Sequence, residues 1–503
     1  MTDRIIRLQV QAQNYPWGKV GSDSIISEFG PEAGGPGWSF GEETPYAELW
    51  ISSTHPNAPA KIYPLPSSTS LIQQTLQTIS PAYFGKTLSS YLGENPGLLG
   101  KAGEGFGAPV EAGKGERFLP FLMKVLTCKQ ALPLQIHPDK ELSRRLHRKN
   151  PKQFADFNHK PEIAVALTPF LGFAGFQPII TIKSLLTSIP ELDALLRPFE
   201  SYQTFISATP KATSADLKEL VRSVLRMDPK SDASGLLKTV KDALAAGTGM
   251  AAPEKEARDG NDVDAAIEGL LSRFEREGVE AFGKAELGDE EKKRLVKALK
   301  KMQEFYKGDP GSIVAAFMMN LIELRPGEGI YVGADGVHAW LDGQIIELMA
   351  TSDNVLNLGF VPAAEKDSVD LFIDAVTCEP KSGEEYKLSK QEWKLSSGAG
   401  ATIYKVPTEE FSLYHVDGNA QKSTIIKPLN GPTVCIVTAV NTTAGKIIQT
   451  RTVEDSSARA EVDDIKRGQV YLIGAGTEVE FAPGVEVWAS FWDDQEQEQS
   501  GTA

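Results

Sequence analysis

The sequence predicts a mainly β protein in which a helical segment interrupts the β-rich chain. Residues 1–178 consist of short apolar segments separated by glycine, proline and polar clusters, a texture typical of strands and turns. From about residue 180 the apolar residues recur with the period of amphipathic helices, and after Met319 the short apolar segments return. A chain of 503 residues is too long for a single hydrophobic core, so several domains are expected.

The first β-rich section contains two continuous apolar runs that are suited to buried strands. They are FLPFLMKVLT (118–127) and ALPLQIH (131–137). The section 320–378 has a similar texture, with glycine-containing turns between strand-like pieces. Both sections are therefore predicted to be β structure.

The intervening segment, 179–319, has helical periodicity. Apolar residues at helical spacing are Leu217, Leu220, Val221, Val224 and Leu225, followed later by Leu295, Leu299, Met302 and Tyr306. A polar stretch at 246–262 predicts a linker inside this helical segment. The segment is expected to form a helical insert.

The C-terminal section, 379–490, contains short strand-like runs such as TVCIVTAV, QVYLIGAG and VEVWASFW. Their spacing is typical of an antiparallel sandwich or jelly roll. Residues 491–503 end in DDQEQEQSGTA, a composition that predicts a disordered tail.

Composition excludes several classes of function. A formal charge of −15 weighs against nucleic acid or an anionic membrane as the main partner. No apolar run reaches the roughly 18 residues that a membrane span needs, and the N-terminus lacks the features of a signal peptide. The 3 widely separated cysteines form no disulfide framework, so a cytoplasmic location is expected.

Four polar residues near predicted strand ends are candidate metal ligands. Gln135 and His137 are two residues apart, so their side chains point to the same face of a strand. Glu162 opens the strand-like run EIAVAL, and His338 follows a glycine-containing turn. Two histidines, a glutamate and a glutamine suit Zn²⁺. Spacing alone leaves open that Gln135 and His137 face solvent before a turn and that Glu162 is exposed.

Ordered motifs in both β-rich sections resemble the type I phosphomannose isomerases. The matching segments are YPWG (15–18), ELWISSTHP (48–56), FLMKVLT (121–127), LQIHPDK (134–140), NHKPEIAVAL (158–167) and HAWLDGQIIELMATSDNV (338–355). The resemblance implies one Zn²⁺ per chain, held by Gln135, His137, Glu162 and His338. It also implies a cupin (jelly-roll) catalytic domain formed by 1–178 and 320–378, a helical domain at 179–319, and a second cupin-like domain at 379–490.

The reaction implied by the resemblance is the interconversion of mannose 6-phosphate and fructose 6-phosphate, feeding GDP-mannose synthesis and protein glycosylation. Glu48, Lys124, Lys160 and Glu347 match polar positions of the family's active cleft. Glu347 would exchange protons or orient a cationic group. For Glu48 a second interpretation stays open, in which it is a surface carboxylate. Lys124 lies in an apolar run, which predicts either a depressed pKa or a fixed partner.

His159 is a candidate to hydrogen-bond beside the metal, because it neighbours Lys160 and Glu162 in the sequence. The expected partner is a phosphosugar, with no nucleic acid and no membrane, and the expected state is a monomer or weak homo-oligomer.

Three positions depart from the family pattern. Asn357 stands where the family has an arginine treated as catalytic, Ala363 where it often has lysine, and Pro133 where it often has serine. Lys124, Lys129 and Lys160 are candidates to supply the missing positive charge. Two other interpretations therefore stay open: a divergent zinc cupin that binds or senses sugars with weak or no turnover, and a metal-dependent cupin oxygenase.

Overall fold

The computed structural model describes residues 4–54, 58–63, 84–104, 115–227, 262–362, 365–443, 445–453 and 460–494. Residues 246–261 of the predicted linker, Ala363, and residues 495–503 of the predicted tail lie outside the described residues. Phe491, the first residue of that predicted tail, instead ends the last strand, where it is fully buried.

The described chain is built mainly from antiparallel strands. Those in the first β-rich section are β1 (Ile5–Gln9), β2 (Gln11–Gln13), β3 (Lys19–Val20), β4 (Pro45–Tyr46), β5 (Glu48–Ile51), β6 (Lys61–Ile62), β7 (Phe121–Cys128), β8 (Leu134–Ile136), β9 (Glu162–Ala166) and β10 (Phe170–Phe176). Those that follow the helices are β11 (Met319–Leu324), β12 (Gly329–Val332), β13 (His338–Ala350) and β14 (Leu356–Gly359). Those of the C-terminal section are β15 (Lys390–Glu392), β16 (Ser396–Gly398), β17 (Thr402–Tyr404), β18 (Ser412–Val416), β19 (Thr424–Ile426), β20 (Thr433–Val440), β21 (Ile447–Thr452), β22 (Ala460–Val462), β23 (Val470–Ile473), β24 (Thr477–Phe481) and β25 (Val485–Phe491).

Between Ile179 and Met318 every described regular element is helical. The helices within the described residues are α1 (Ile25–Ala33), α2 (Leu88–Glu94), α3 (Lys140–Lys149), α4 (Ile179–Ser188), α5 (Pro190–Leu196), α6 (Glu200–Ala208), α7 (Ser214–Leu225), α8 (Asp262–Glu277), α9 (Asp289–Phe305), α10 (Gly311–Met318) and α11 (Val369–Ala375). Short 3₁₀ turns lie at Gly21–Asp23, Gly35–Gly37, Pro96–Leu98, Gly100–Glu104, Gly278–Phe282 and Gly383–Tyr386. In α7 the predicted apolar stripe is buried from Leu217 to Val224, and Thr213 and Asp216 form its capping box. None of the described helices is long and apolar enough to cross a membrane.

The first sheet positions the candidate site. Its strands run β2–β5–β7–β13–β10–β11, while β8 and β9 also pair with β13, β14 pairs with β8, and β12 pairs with β9. The central strand β13 contains Gly343, whose φ is +123°. A Cβ there would lie 2.7 Å from the Pro169 carbonyl oxygen, so this close approach requires glycine. Strand β13 carries His338 at its start and Glu347 near its end, so this one strand contributes residues to two parts of the candidate site.

Alternate residues of the first sheet face two different cores. Ala164 and Ile345 pack in an inner cluster with Leu126, whereas Ile163 and Ile346 pack against the second sheet. Glu162, two residues before Ala164 on β9, therefore faces the inside of the sheet. This alternation turns polar residues of the same strands toward one interior.

The second sheet joins strands from the first β-rich section and the C-terminal section. Its order is β15–β17–β18–β25–β20–β23–β1–β6, so two strands from the first β-rich section complete a sheet of the C-terminal section. Ile6 and Leu8 of β1 are fully buried in the core shared by the first and second sheets. Burial of these side chains explains why β1 pairs with β23 rather than with its neighbours in sequence. A third sheet, β16–β19–β24–β21–β22, packs in the C-terminal core.

Candidate metal centre and cleft

Three adjacent strands present polar side chains on one face. Gln135 of β8 lies directly opposite His338 of β13 on one side and opposite Asn357 of β14 on the other. Directly opposed residues of antiparallel strands point to the same face. His137 follows β8 two residues after Gln135, and its side chain is buried beside that of His338, with ring centroids 5.3 Å apart. The predicted alternative in which His137 faces solvent is therefore wrong.

Two histidines converge on one buried carboxylate. His137 Nε2 lies 3.2 Å from Glu162 Oε1, and His338 Nε2 lies 3.2 Å from Glu162 Oε2. Each ring is fixed from its other nitrogen: Nδ1 of His137 donates to the Asn354 carbonyl at 2.8 Å, and Nδ1 of His338 to the Gly336 carbonyl at 3.0 Å. Because a carbonyl only accepts, these contacts place a proton on each Nδ1, so in the neutral imidazole the lone pair lies on Nε2.

The converging atoms fit a cation. His137 Nε2, His338 Nε2 and Glu162 Oε2 are all buried and have no hydrogen-bond partner in the described residues. One ligand atom from each residue lies within 4.8 Å of the others. Unpartnered buried acceptors are costly unless a donor or a metal ion satisfies them. Two imidazoles and a carboxylate are ligands typical of zinc.

The charges of this cluster favour metal binding. Burial and the positive charge of Lys160 lower the pKa of His137 to about 4, so its imidazole is neutral at physiological pH. Burial opposes ionisation of Glu162, but the positive charge of Lys160 acts in the opposite direction and helps to hold the pKa of this carboxyl below its usual value. Lys160 Nζ lies 3.4 Å from Glu162 Oε1. Metal ligands must be deprotonated, and both residues meet this condition.

A second cluster places one lysine between two carboxylates. Lys124 Nζ lies 3.0 Å from Glu48 Oε1 and 3.3 Å from Glu347 Oε2, and all three side chains are buried. Its ammonium also lies 4.3 Å from the ring centroid of Trp50. Burial acts to lower the pKa of Lys124, but Glu48 and Glu347 outweigh it and raise that pKa above its ordinary value. Of the two predicted alternatives for Lys124, the fixed partner is confirmed and the depressed pKa is wrong.

Glu347 is held from both oxygens. Trp340 Nε1 donates to Glu347 Oε1 at 2.7 Å, and Lys124 lies at Oε2. Burial raises the pKa of Glu347, while the charge of Lys124 acts in the opposite direction. Glu48 is likewise held at its second oxygen by Trp50 Nε1, 2.8 Å away, so the predicted alternative of a surface carboxylate is wrong.

The positions that depart from the family pattern lie on or beside the same strands. Asn357 Oδ1 is buried without a hydrogen-bond partner among the described residues, while its backbone amide donates to Asp367. Pro133 immediately precedes β8 and is half-buried. Asn357 thus offers an unused amide oxygen beside Gln135.

Supporting groups of the centre come from loops that sequence reasoning missed. The segment 352–354 carries the Asn354 carbonyl, and the carboxylate of Asp156 organises it. That carboxylate accepts hydrogen bonds from Ser352 Oγ at 2.9 Å, Asp353 N at 2.8 Å and Asn354 Nδ2 at 3.1 Å. In the sequence, only the motif TSDNV pointed to this segment, because no residue spacing links the segment to Asp156.

His159 takes no part in the metal cluster. Its Nε2 lies 2.7 Å from Glu410 Oε1, and Lys140 Nζ lies 2.8 Å from the same oxygen. The prediction that His159 hydrogen-bonds beside the metal is therefore wrong, because a buried carboxylate of the C-terminal section occupies its ring nitrogen.

Comparison with known proteins gives a consistent result. The family model for the catalytic domain of type I phosphomannose isomerase matches residues 5–102 and 106–179. A mannose-6-phosphate isomerase of Cryptococcus neoformans is 30% identical over 494 residues, covering 98% of this chain and 99% of that protein. Mannose-6-phosphate isomerase 1 of Arabidopsis thaliana is 30% identical over 479 residues, covering 95% of this chain and 90% of that protein. Among solved structures, mannose 6-phosphate isomerase from Salmonella typhimurium, bound to fructose 6-phosphate and zinc, superposes with a TM-score of 0.67 at 22% identity and covers 98% of this chain and 100% of that one.

Proposed function

Because this chain belongs to the type I phosphomannose isomerase family, we propose that it is a zinc-dependent enzyme interconverting mannose 6-phosphate and fructose 6-phosphate. The observation that carries the proposal is the convergence of two imidazole Nε2 atoms on the Glu162 carboxylate. The wider role is the supply of mannose phosphate for GDP-mannose synthesis and protein glycosylation.

His137, Glu162 and His338 would hold one Zn²⁺ per chain, with Gln135 as the fourth ligand. The position of Gln135 directly opposite His338 in the strand ladder supports this assignment. When bound, zinc supplies Lewis-acid stabilisation of a substrate oxygen on which negative charge develops. The fixed Nδ1 contacts of both histidines would preserve the ring orientations that ligation requires.

The second cluster would handle the proton that moves between C1 and C2 of the sugar. A carbon-bound proton needs a base with a pKa nearer neutrality than an exposed carboxylate has, and burial shifts Glu347 in that direction. Lys124 keeps its charge between Glu48 and Glu347, so it would stabilise negative charge on a nearby sugar oxygen rather than accept a proton. Lys160 would contribute a second positive charge beside Glu162.

Asn357 would bind an anionic group of the substrate more weakly than the family's arginine does. An amide lacks both the charge and the two-pronged donor geometry of a guanidinium. Loss of one charge-assisted hydrogen bond costs about 1.5–3 kcal/mol, or roughly 10- to 150-fold in rate or affinity. We therefore expect a slower enzyme rather than an inactive one, with Lys124 and Lys160 supplying positive charge.

The domain organisation is part of the proposal. Sections 1–178 and 320–378 would form the cupin catalytic unit, 179–319 a helical domain and 379–490 a second cupin-like unit, with β1 and β6 joined to the last. Pairing of β10 with both β11 and β13 across the helical segment supports a discontinuous catalytic unit. The protein would act as a monomer or weak homo-oligomer.

A coupled assay on purified protein, combined with metal analysis, tests the function. We expect isomerisation of mannose 6-phosphate, one zinc per chain, and a joint loss of zinc and activity in His338→Ala. His415→Ala is the matched control, because His415 stacks on Trp488 in the C-terminal section, away from the metal cluster.

Three results would contradict the proposal. Tight sugar binding with full zinc occupancy but no turnover would support the sensor interpretation that Asn357 and Pro133 motivate. Retention of both zinc and activity in His338→Ala would remove the proposed metal centre. Oxygen consumption dependent on iron would point instead to a cupin oxygenase.

A further inference from the structure

The turn that leads into His338 has an unusual backbone conformation at Asp335. The Gly336 amide donates to the Gly333 carbonyl at 3.1 Å and closes the turn. Within the turn, Asp335 has a φ of +62°, in the left-handed region that glycine favours. Aspartate tolerates this region because its short polar side chain can hydrogen-bond locally. A carboxylate at such a backbone position points to a specific contact of the side chain.

Asp335 contacts the segment that carries His137 through two hydrogen bonds. Its backbone amide donates to the His137 carbonyl at 2.7 Å, and its Oδ1 accepts from the Asp139 amide at 3.0 Å. Pro138, which lies between these two residues, has no N–H to donate. The backbone amide and the carboxylate of Asp335 therefore bind the main chain on both sides of Pro138.

The segment 137–139 is itself fixed by α3. Asp139 is the N-cap of this helix, and its Oδ1 accepts a hydrogen bond from the Leu142 amide at 2.6 Å. The Ser143 hydroxyl donates to the Pro138 carbonyl at 3.1 Å. The turn that contains Asp335 thus binds to a part of the chain that the first turn of α3 holds in place.

Asp335 is also close to the group that orients the second histidine. The carbonyl of the next residue, Gly336, accepts the His338 Nδ1–H at 3.0 Å. The Asp335 carbonyl accepts from the Thr377 amide at 2.9 Å, which adds a further contact to the turn. One residue therefore connects the main chain of His137 to the carbonyl that fixes the His338 ring.

The strand pairing between the two histidine segments is short. Among the described residues, β8 pairs with β13 at a single position, where Gln135 lies opposite His338. A ladder of one pair is a weak constraint, whereas the binding of one ion requires that the His137 and His338 Nε2 atoms keep their separation. The contacts of Asp335 extend the connection between the segments beyond the strands.

We propose that Asp335 is a positioning residue of the metal centre. Its carboxylate and its amide hold the turn before His338 against the segment of His137, so that both imidazoles stay in place for one ion. The role acts through the two histidines and needs no contact between Asp335 and the ion. This inference rests on the proposed zinc function and adds a residue to it.

Zinc affinity of the full chain, measured by competition with a fluorescent chelator, tests the role. Asp335→Gly removes the carboxylate and accommodates the positive φ without strain, and it should weaken zinc binding by roughly 10- to 100-fold. Asp335→Asn keeps an acceptor oxygen and also tolerates this φ, so it should restore an affinity close to that of the parent. The absorption spectrum of the Co²⁺-loaded protein should change in the glycine variant and not in the asparagine variant, because the spectrum reports the geometry of the ligands.

Ala334→Gly is the matched control, since it introduces a glycine into the same turn and leaves the carboxylate in place. It should bind zinc as the parent does. Asp335→Glu is a second test in case the glycine variant does not fold. It keeps the charge but moves the acceptor oxygen by one methylene, and it should also weaken zinc binding.

The proposal is overturned if folded Asp335→Gly or Asp335→Glu binds zinc as tightly as the parent. It is equally overturned if Asp335→Asn is as weak as Asp335→Gly, or if Ala334→Gly shows the same loss. A parent protein that binds no zinc would instead contradict the proposed function, and the role of Asp335 would fall with it.

Discussion

At the scale of single residues, the position of Lys124 explains how a mainly apolar strand carries chemistry. All residues of β7 are buried, so a lysine there must find its counter-charges within the protein. Glu48 and Glu347 provide them from the two neighbouring strands, because Lys124 lies directly opposite Glu347 in the pairing of β7 with β13. Lys124, Glu48 and Glu347 form one charge unit, in which the ammonium of the lysine offsets the charge of the two carboxylates.

Lys124→Met should destabilise the protein strongly. Removal of one partner from a buried ion pair leaves uncompensated charge and costs about 3–5 kcal/mol. Without the ammonium, the opposing charge would be lost and burial would raise the pKa of the Glu347 carboxyl further in the folded state. The protonated form then folds best, so the loss of stability should be largest at pH 8 and smaller at pH 5. Urea unfolding at the two pH values measures it.

The double variant Lys124→Met/Glu48→Gln should recover part of this stability, because it removes one of the two unpaired charges. Lys129→Met serves as the control, since Lys129 forms no ion pair within the described residues. An equal loss at both pH values, or no recovery in the double variant, would disprove the charge unit.

The sequence predicted more of the ligands than of the groups that support them. The two-residue spacing of Gln135 and His137 is a local property of a strand, and the structure does turn His137 inward. The carbonyl that fixes His137 belongs to Asn354, 217 residues away. Because every residue has a backbone oxygen, the residue type at position 354 does not predict this contact. The direction of the Lys124 pKa shift was also beyond the sequence, because it depends on partners from two other strands.

At the scale of elements, the segment 352–354 links β13 to β14 and orients the metal cluster. Its three residues all hydrogen-bond to Asp156, which precedes β9. The donor Asn354 Nδ2 also contacts the Asn158 carbonyl at 3.1 Å. The segment therefore has little freedom to move, and the carbonyl that receives the His137 Nδ1–H stays in place.

Asp156→Ala should weaken zinc binding by roughly 10- to 100-fold, the usual effect of losing a group that orients a metal ligand. The donors of residues 352–354 would lose their shared acceptor, so the Asn354 carbonyl would no longer be fixed. Competition with a chromophoric chelator measures the zinc affinity without reference to turnover.

Asp353→Ala is the matched control, because this exposed side chain lies in the same segment and contributes only its backbone amide to Asp156. Asp156→Asn, which keeps one acceptor oxygen, should give an intermediate affinity. Unchanged zinc affinity in a folded Asp156→Ala protein would show that the segment does not orient His137.

At the scale of the whole molecule, the order of β-rich, helical and β-rich sections followed from periodicity, but strand pairing between sections did not. The burial of β1 depends on side chains of β20 and β23, which are more than 400 residues distant, so no local pattern assigns β1 to the second sheet. The same long-range packing brings Glu410 of the C-terminal section to His159 and Lys140 of the first section. His159 directly precedes Lys160, which lies beside Glu162, so Glu410 connects the C-terminal section to the segment next to the metal cluster.

Glu410→Gln should remove a stabilising contact whose strength depends on pH. Burial acts to raise the pKa of Glu410, but His159, Lys140 and Thr408 outweigh it and lower that pKa to about 2. A folded-state pKa below the unfolded value stabilises the protein above about pH 4.5, and this stabilisation is lost as the pH falls toward 2. A shift of this size corresponds to about 3 kcal/mol. The difference in melting temperature between parent and variant should therefore be largest at pH 6 and should shrink at pH 3.

Glu409→Gln, which changes a neighbouring exposed glutamate, should show no such trend. A difference that stays constant from pH 6 to pH 3 would mean that ionised Glu410 does not hold the two sections together.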